Sequence, residues 1–210
     1  MRIGILGSGR MADALGGRWA QAGHEVLVGG RSPERAKELA LRIGSQHGTL
    51  QDAAEFGEVT LLAVSAEAAD GVLRTVGAPD GSLAGRPLID CTNSVDQRDL
   101  TLAEPAMAER ISELSPGAAV VKAFNLAADP VWRSTPQTFE GRPLGVPLCG
   151  DDEAALVKVE ELVRALGGEP VRAGGLARAR LLEATAAFAI GIWFGGGDTR
   201  ALFPPLAHAF

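Results

Sequence analysis

The chain of 210 residues contains 27 glycines in no regular period and is 46% apolar and 22% charged, which excludes both a collagen-like fibre and a disordered chain. Its net charge of −6 gives no electrostatic support to a nucleic-acid partner or an anionic membrane surface. It has no tyrosine, three histidines and three lysines, so few side chains are suited to proton transfer.

Short apolar runs alternate along the chain with longer helical patterns. Strands are predicted at residues 2–6, 25–29, 59–64, 87–91, 119–123, 146–149 and 169–172. Helices are predicted at residues 11–22, 33–43, 66–76, 105–114 and 153–166, and a hydrophobic last helix at about residues 176–194, before three consecutive glycines. This alternation indicates βαβ units and therefore an α/β fold with a doubly wound, mainly parallel sheet.

The stretch 129–145, rich in proline and glycine, is the clearest irregular segment and divides the chain into two predicted domains. Residues 1–128 form the larger domain, and residues 129–210 form a small C-terminal α/β domain. Its last helix is apolar on nearly every face, so it packs in the core, contacts a second subunit or walls a ligand pocket.

The first apolar run ends at Leu6 and is too short for a signal-peptide core, and the longest apolar stretch, residues 184–194, is roughly half of a membrane span. We therefore expect a cytoplasmic protein that is not bound to a membrane. Cys91 and Cys149 lie in separate apolar segments without metal-ligand spacing. We expect buried, reduced thiols, with neither a disulfide nor a metal site.

A glycine-rich turn follows the first predicted strand and opens the first helix. Residues 7–12 read G-S-G-R-M-A, the G-x-G-x-x-A pattern of dinucleotide-binding loops. Gly7 permits a tight turn, and Gly9 leaves room for a pyrophosphate at the helix amides. The alternative is a turn that only joins a strand to a helix, but the strands predicted on either side favour nucleotide binding.

The end of the second predicted strand indicates which dinucleotide binds. An NAD site usually has a carboxylate there for the ribose 2′-hydroxyl, whereas residues 29–31 read G-G-R. Arg31 offers a planar cation suited to phosphate, Ser32 can cap the next helix, and Arg35 adds a second cation in its first turn. These residues favour the 2′-phosphate of NADP over the alternative that both arginines are ordinary surface charges.

Few residues could donate a proton to a substrate. The histidines are expected at the surface: His24 in a turn, His47 in a polar loop and His208 near the C-terminus. Lys122 lies near the end of a predicted strand and is a candidate for a polar contact, and Asp90 and Asn93 lie near the same sheet edge. We assign no catalytic residue. Hydride passage between two redox rings fits this shortage, because it needs stacking, orientation and exclusion of water.

Several segments resemble the NADPH-dependent F420 reductases, which share their N-terminal fold with pyrroline-5-carboxylate reductases. The matching segments are residues 3–12, 22–26, 29–36, 121–125, 149–152, 174–176 and 179–183. The resemblance implies a Rossmann domain with a small C-terminal domain, and reversible hydride transfer between NADPH and the deazaflavin coenzyme F420. We expect a small-molecule redox acceptor and a homodimer.

Carried over by position, the resemblance implies the cofactor contacts. The pyrophosphate would be held by Gly7, Ser8, Gly9, Arg10 and Met11, and the 2′-phosphate by Arg31, Ser32 and Arg35. Val64, Ser65 and Ala66 would flank a ribose, and Asn125 and Leu126 would lie near the nicotinamide.

The sequence departs from the family at two places. Residues 126–132 do not match the family's deazaflavin-side pattern, and Gly30 stands where the family often has a serine. Two other functions therefore stay open. One is an NADPH-dependent imine or carbonyl reductase, in which Lys122 or Asn125 would assist protonation; the other is an NADP-binding redox sensor without turnover.

Overall fold

The computed structural model describes residues 1–96, 98–102, 106–134, 138–139 and 141–199. The strands are β1 (Arg2–Leu6), β2 (Glu25–Gly29), β3 (Gln46–Gly48), β4 (Val59–Leu62), β5 (Pro87–Asp90), β6 (Ala119–Lys122), β7 (Thr138–Phe139), β8 (Arg142–Pro143), β9 (Gly145–Gly150) and β10 (Glu169–Arg172). The helices are α1 (Arg10–Gln21), α2 (Pro33–Ile43), α3 (Leu50–Phe56), α4 (Ala66–Thr75), α5 (Met107–Leu114), α6 (Asp129–Arg133), α7 (Glu153–Ala165) and α8 (Ala179–Phe194).

Eight of the described strands form one doubly wound sheet in the order β10-β9-β6-β5-β4-β1-β2-β3. Neighbouring strands in it are parallel, except that β9 runs antiparallel to β6. The strand order reverses between β1 and β4, and ligands of such sheets bind in the crevice beyond the carboxyl ends of the strands at that point. The predicted α/β, mainly parallel fold is confirmed.

The central strands are buried on both faces. Ile3 and Ile5 of β1 pack in a cluster with Leu15 of α1, whereas Leu6 packs in a second cluster with Leu50 of α3. Because both faces are covered by helices, the strands read as continuous apolar runs.

The sequence pattern predicts no element between α2 and β4, but β3 and α3 lie there. His47, expected in a polar loop, lies in β3 at the edge of the sheet. Helix α3 begins with a capping box: the Thr49 hydroxyl accepts from the Asp52 amide at 3.0 Å, and the Asp52 carboxylate accepts from the Thr49 amide at 2.8 Å. A helix of seven residues is too short for its periodicity to be recognised.

The stretch 129–145 is more regular than expected, since it contains α6 and the antiparallel pair β7 and β8. Residues 135–137 and 140, the predicted helix start at Pro105, and His208 lie outside the described residues. The last helix begins with a short 3-10 turn, Leu176–Arg178, and ends at Phe194 before the glycines. The boundary between residues 128 and 129 stays a prediction, and β9 and β10 extend the sheet of the first part.

Within the described part of the chain, no helix is long and apolar enough to cross a membrane.

Candidate active site

A cleft of about 820 Å³ opens beyond the ends of β1 and β4. It is lined by the turn after β1, the start of α2 and the turns after β4 and β5. The predicted site residues found in its lining are Gly7, Ser8, Gly9, Arg10, Met11, Arg31, Ser32, Arg35, Val64, Ser65 and Ala66. The structure therefore brings the predicted pyrophosphate, 2′-phosphate and ribose contacts into one cleft.

The glycine turn leaves the N-terminus of α1 open. Gly7 has φ of +130°, and a Cβ there would lie 2.2 Å from the Ala63 carbonyl oxygen, so glycine is required. Gly9 caps α1 without a side chain, and a Cβ at this position would meet nothing within 4 Å. The first amides of α1 thus keep the positive end of the helix available to an anion, and the turn fits a pyrophosphate.

Two arginines also line the cleft. Arg31 and Arg35 are exposed, and neither forms an ion pair with another described residue. The Ser32 hydroxyl accepts from the Arg35 amide at 3.3 Å and donates to the Glu34 carboxylate at 2.9 Å. Hydrogen bonds from its own backbone amide and from Ser32 lower the pKa of the Glu34 carboxyl. Both guanidinium groups are therefore available to a phosphate.

A second pocket, of about 240 Å³, adjoins the cleft and shares Arg10, Met11, Cys91 and Asn93 with it. Its other lining residues are Phe124, Asn125, Leu126, Ala127, Ala128 and Asp129 after β6, and Ala186, Ile190 and Trp193 of α8. The two remaining predicted residues, Asn125 and Leu126, thus lie in this second pocket. The sequence left three roles open for the last helix. Residues 186, 190 and 193 of α8 lie on one face of the helix, and this face forms a wall of the pocket.

An asparagine pair lies in the lining of this pocket. Nδ2 of Asn93 donates to the Asn125 carbonyl oxygen at 2.8 Å, and Nδ2 of Asn125 donates to Oδ1 of Asn93 at 2.9 Å. Oδ1 of Asn125 has no partner among the described residues, although Asn125 is only 6% exposed. Because an unpaired buried acceptor is costly, this atom fits a ligand that brings a donor, such as a carboxamide.

A strained backbone precedes Asn125. Phe124 has φ of +63°, a left-handed conformation that is unfavourable for an aromatic residue. Its ring packs edge-on between Trp19, at 5.7 Å, and Trp132, at 5.4 Å. Trp132 in turn donates its indole N–H to the Ala127 carbonyl oxygen at 2.9 Å. These contacts hold the turn that follows β6 in place.

Lys122 lines neither pocket, contrary to its expected role as a polar contact. Its ammonium lies in a buried ion cluster, 2.8 Å from carboxylate oxygens of both Asp90 and Glu183. Burial opposes the charge of Lys122, but the two carboxylates outweigh this effect and raise its pKa. Lys122 is therefore poorly suited to protonate a substrate. Glu183 was not predicted as a site residue, although it ends the last segment that resembles the family.

Within the described residues, no group of three or more His, Cys, Asp and Glu side chains is arranged to hold a metal ion. Cys91 and Cys149 are free and buried, as expected.

Comparison with known proteins gives the family. Residues 2–94 match the family model described as "NADP oxidoreductase coenzyme F420-dependent". These residues belong to that family. The predicted family is thus confirmed over these residues, and the relatives described below agree with it. The expected relation to pyrroline-5-carboxylate reductases stays a prediction.

Curated proteins match the chain over more than residues 2–94. F420-dependent NADP reductase of Methanothermobacter marburgensis is 28% identical over 203 residues, which cover 87% of this chain and 88% of that protein. Metalloreductase STEAP3 of Rattus norvegicus is 33% identical over 183 residues, which cover 87% of this chain and 36% of that protein. The chain thus spans about a third of the length of the STEAP metalloreductases that it matches.

Solved structures share the whole architecture. The crystal structure described as a "putative f420 dependent nadp-reductase" from Arthrobacter sp. fb24 superposes with a TM-score of 0.82 at 26% identity, covering 93% of this chain and 95% of that one. An imine reductase of Streptomyces aurantiacus superposes with a TM-score of 0.70 at 20% identity, covering 93% of this chain and 64% of that one. The second likeness concerns the fold alone.

Proposed function

We propose that the protein transfers a hydride between NADP(H) and a flavin-like coenzyme, with F420 as the best-supported acceptor. The observation that carries the proposal is the adjoining pair of pockets. The cleft, which we assign to NADP(H), has two arginines without an ion pair among the described residues. The second pocket, which we assign to the electron acceptor and call the acceptor-side pocket, has almost no proton-transfer groups. The charged side chains that line the second pocket are Arg10 and Asp129, which pair with each other at 3.6 Å. Burial and the nearby Asp90 raise the pKa of the Cys91 thiol to about 12.

On the NADP side, each group of residues has one proposed task. Gly7, Ser8, Gly9, Arg10 and Met11 bind the pyrophosphate at the start of α1, and Arg31, Ser32 and Arg35 bind the 2′-phosphate. Val64, Ser65 and Ala66 flank a ribose, and Asn125 and Leu126 lie against the nicotinamide. The unpaired Oδ1 of Asn125 supports the last assignment, because a carboxamide donor would satisfy it.

On the acceptor side, the chain positions a ring and excludes water. Bound NADPH would supply a hydride to the acceptor, and the proton that completes the reduction would come from the solvent. Ala186, Ile190 and Trp193 offer an apolar wall for a planar ring, and Phe124 and Leu126 offer apolar surface from the turn after β6. Orientation of two rings at short range is the main requirement of such a transfer.

Imine or carbonyl reduction is less well supported. It needs a proton donor at the reacting atom, and Lys122 is enclosed away from the pockets with a raised pKa. The Asn125 amide can donate a hydrogen bond but does not give up a proton at physiological pH.

Anaerobic mixing with NADPH and oxidised F420 tests the proposal. We expect the absorbance of the oxidised deazaflavin to fall as NADPH is consumed. Parallel mixtures contain FMN, FAD or a panel of imines and carbonyls. Oxidation of NADPH only by the imines or carbonyls would favour the reductase alternative, and NADPH binding without oxidation by any mixture would favour a redox sensor.

We also propose that the outer face of α8 joins two copies of the chain. Leu181 and Phe188, seven residues apart on one face of this helix, are 51% and 57% exposed. Pairing of two such faces would bury apolar area that a monomer leaves in water. Sedimentation should give twice the chain mass, and a monomer at micromolar concentration would contradict the homodimer. A cytoplasmic location stays a prediction.

A further inference from the structure

We infer that Glu183 is a positioning residue, which fixes α8 through the buried Lys122 cluster so that the helix walls the acceptor-side pocket. The inference rests on the proposed function, because it assigns that pocket to the electron acceptor. Glu183 touches neither pocket itself, so its effect on the reaction would act through the helix.

Glu183 is held on three sides by groups of the sheet and of α5. Its carboxylate lies 2.8 Å from the Lys122 ammonium and accepts from the amides of Met107, at 3.0 Å, and Ala108, at 3.2 Å. Helix α5 begins after Ala106 and has no side-chain cap of its own. Glu183 therefore supplies the anion for the start of α5, where both the open amides and the helix dipole favour it.

The rest of α8 is weakly anchored. Besides Glu183, its buried residues are the small or medium-sized Ala179, Leu182, Ala186 and Ala187. No residue of α8 after Ala187 is buried, so the last two turns extend beyond the packed part of the helix. Because few described apolar side chains fix the rotation of α8, the charged contacts of Glu183 are an important constraint on it.

Glu183 also lies on the same face of α8 as the pocket wall. Counting from Glu183, the residues that line the pocket follow at positions +3, +7 and +10, namely Ala186, Ile190 and Trp193. These spacings place all four side chains along one stripe of an α-helix, over about 15 Å of rise. A rotation of α8 that releases Glu183 would therefore move the whole wall out of the pocket.

The second carboxylate of the cluster, that of Asp90, fixes the turn after β5, which forms another part of the pocket lining. Asp90, which binds Lys122, also accepts from the backbone amide of Thr92 at 2.8 Å and from its hydroxyl at 2.7 Å. Lys122 donates to the Thr92 carbonyl oxygen at 2.5 Å. The next residue is Asn93, which lines both pockets. The buried Lys122 ammonium thus links α8 to the turn that follows β5 and sets the distance between them.

The experiment compares Glu183→Gln with the unaltered protein in three measurements. The variant keeps an oxygen that accepts hydrogen bonds but loses the charge that pairs with Lys122. We expect the KM for F420 to rise roughly tenfold, because a shift of about 1 Å in a positioning wall is sufficient for a large kinetic effect. We expect the Kd for NADPH, measured by fluorescence titration, to stay within about twofold, and amide exchange in residues 184–194 to become faster.

Two further variants control for fold and charge. Glu109→Gln removes a carboxylate that also links α5 to α8, through Arg180 at 3.7 Å, but in an exposed pair; we expect none of the three measurements to change. Glu183→Asp keeps the charge on a side chain one methylene shorter. It should show a smaller rise in the F420 KM, and it decides the question if Glu183→Gln does not fold.

The outcomes separate this inference from the proposed function. An unchanged F420 KM in a folded variant, or an equal loss of NADPH affinity, would overturn the positioning role. If the unaltered protein does not reduce F420, the proposed function fails. Amide exchange then decides the positioning role alone: faster exchange confined to residues 184–194 supports it, and unchanged or general exchange contradicts it.

Discussion

The proposed NADP cleft and the proposed acceptor-side pocket share a boundary but are built in different ways. The cleft uses backbone amides, a glycine turn and two exposed arginines that follow β1 and β2 closely in sequence. The pocket combines segments near residues 91–93, 124–129 and 186–193, and a buried ion cluster lies beneath it. The difference shows that the cofactor side depends on local sequence, whereas the acceptor side depends on contacts between distant parts of the chain.

Removing the cation of the buried cluster should have the largest effect. Lys122→Met would leave the carboxylates of Asp90 and Glu183 without their cation in a site that is 0–1% exposed. We expect the free energy of unfolding to fall by about 3–5 kcal/mol, because uncompensated buried charges are strongly destabilising. Urea denaturation followed by circular dichroism measures it.

The matched control is Lys37→Met, at an exposed position of α2. We expect a change of no more than about 0.5 kcal/mol. Equal effects of the two lysine substitutions would show that the acceptor side does not depend on its buried cluster.

The two glycines of the turn should separate folding from binding on the cofactor side. At Gly9 a Cβ meets nothing within 4 Å, so Gly9→Ala should fold normally but bind NADPH roughly tenfold more weakly, because the methyl group occupies the space proposed for the pyrophosphate. At Gly7, with φ of +130°, the same change should cost at least about 2 kcal/mol of stability. Thermal unfolding and NADPH titration test both. Normal NADPH binding by Gly9→Ala would contradict the proposed site.

Replacing Arg31 should distinguish the two nicotinamide cofactors. Arg31→Ala removes a charged donor that the proposal assigns to the 2′-phosphate, so we expect the Kd for NADPH to rise about tenfold and that for NADH to stay nearly constant. Calorimetric titration with each cofactor measures this. Arg74→Ala, at an exposed position of α4 outside the cleft, should change neither value. An equal loss of affinity for both cofactors in Arg31→Ala would refute the assignment.

The smallest effect is expected for thiol reagents at the shared boundary. Burial raises the pKa of both thiols, that of Cys91 to about 12, so at pH 8 both are protonated in the folded protein. Since the thiolate is the reactive form, iodoacetamide should modify neither cysteine of the folded protein but both after unfolding in guanidinium. Mass spectrometry of digests would detect the labels. Rapid labelling of folded Cys91 would show that the boundary is open to solvent.

Sequence patterns predicted the first elements well because each has a local signal. The bounds of β1, β2 and α2 agree with the structure, and α2 begins with the expected cap, the Ser32 hydroxyl accepting from the Arg35 amide. The short β3 and α3 were missed, since three and seven residues are too few to show a period.

The candidate site likewise has a part with a local sequence signal and a part without one. The proposed cofactor contacts at residues 7–11 and 31–35 follow known turn chemistry, so they could be predicted before the fold was known. The meeting of Asp90, Lys122 and Glu183 depends on the packing of β5, β6 and α8, which no local pattern encodes. For that reason the sequence indicated Lys122 as a candidate for a polar contact at the site, whereas the structure buries it in the ion cluster.

Strand β9 runs antiparallel to β6, and β10 runs parallel to β9. The carboxyl ends of β9 and β10 therefore point away from the cleft. Among the described elements after β9, α8 is the one that carries the chain back to the acceptor-side pocket. The contribution of this part of the chain is therefore one continuous stretch, residues 186–193. Under the proposed function, substitutions in this stretch would leave intact the strand ends that line the NADP cleft. The architecture would then allow a lineage to keep its electron donor while exchanging its electron acceptor.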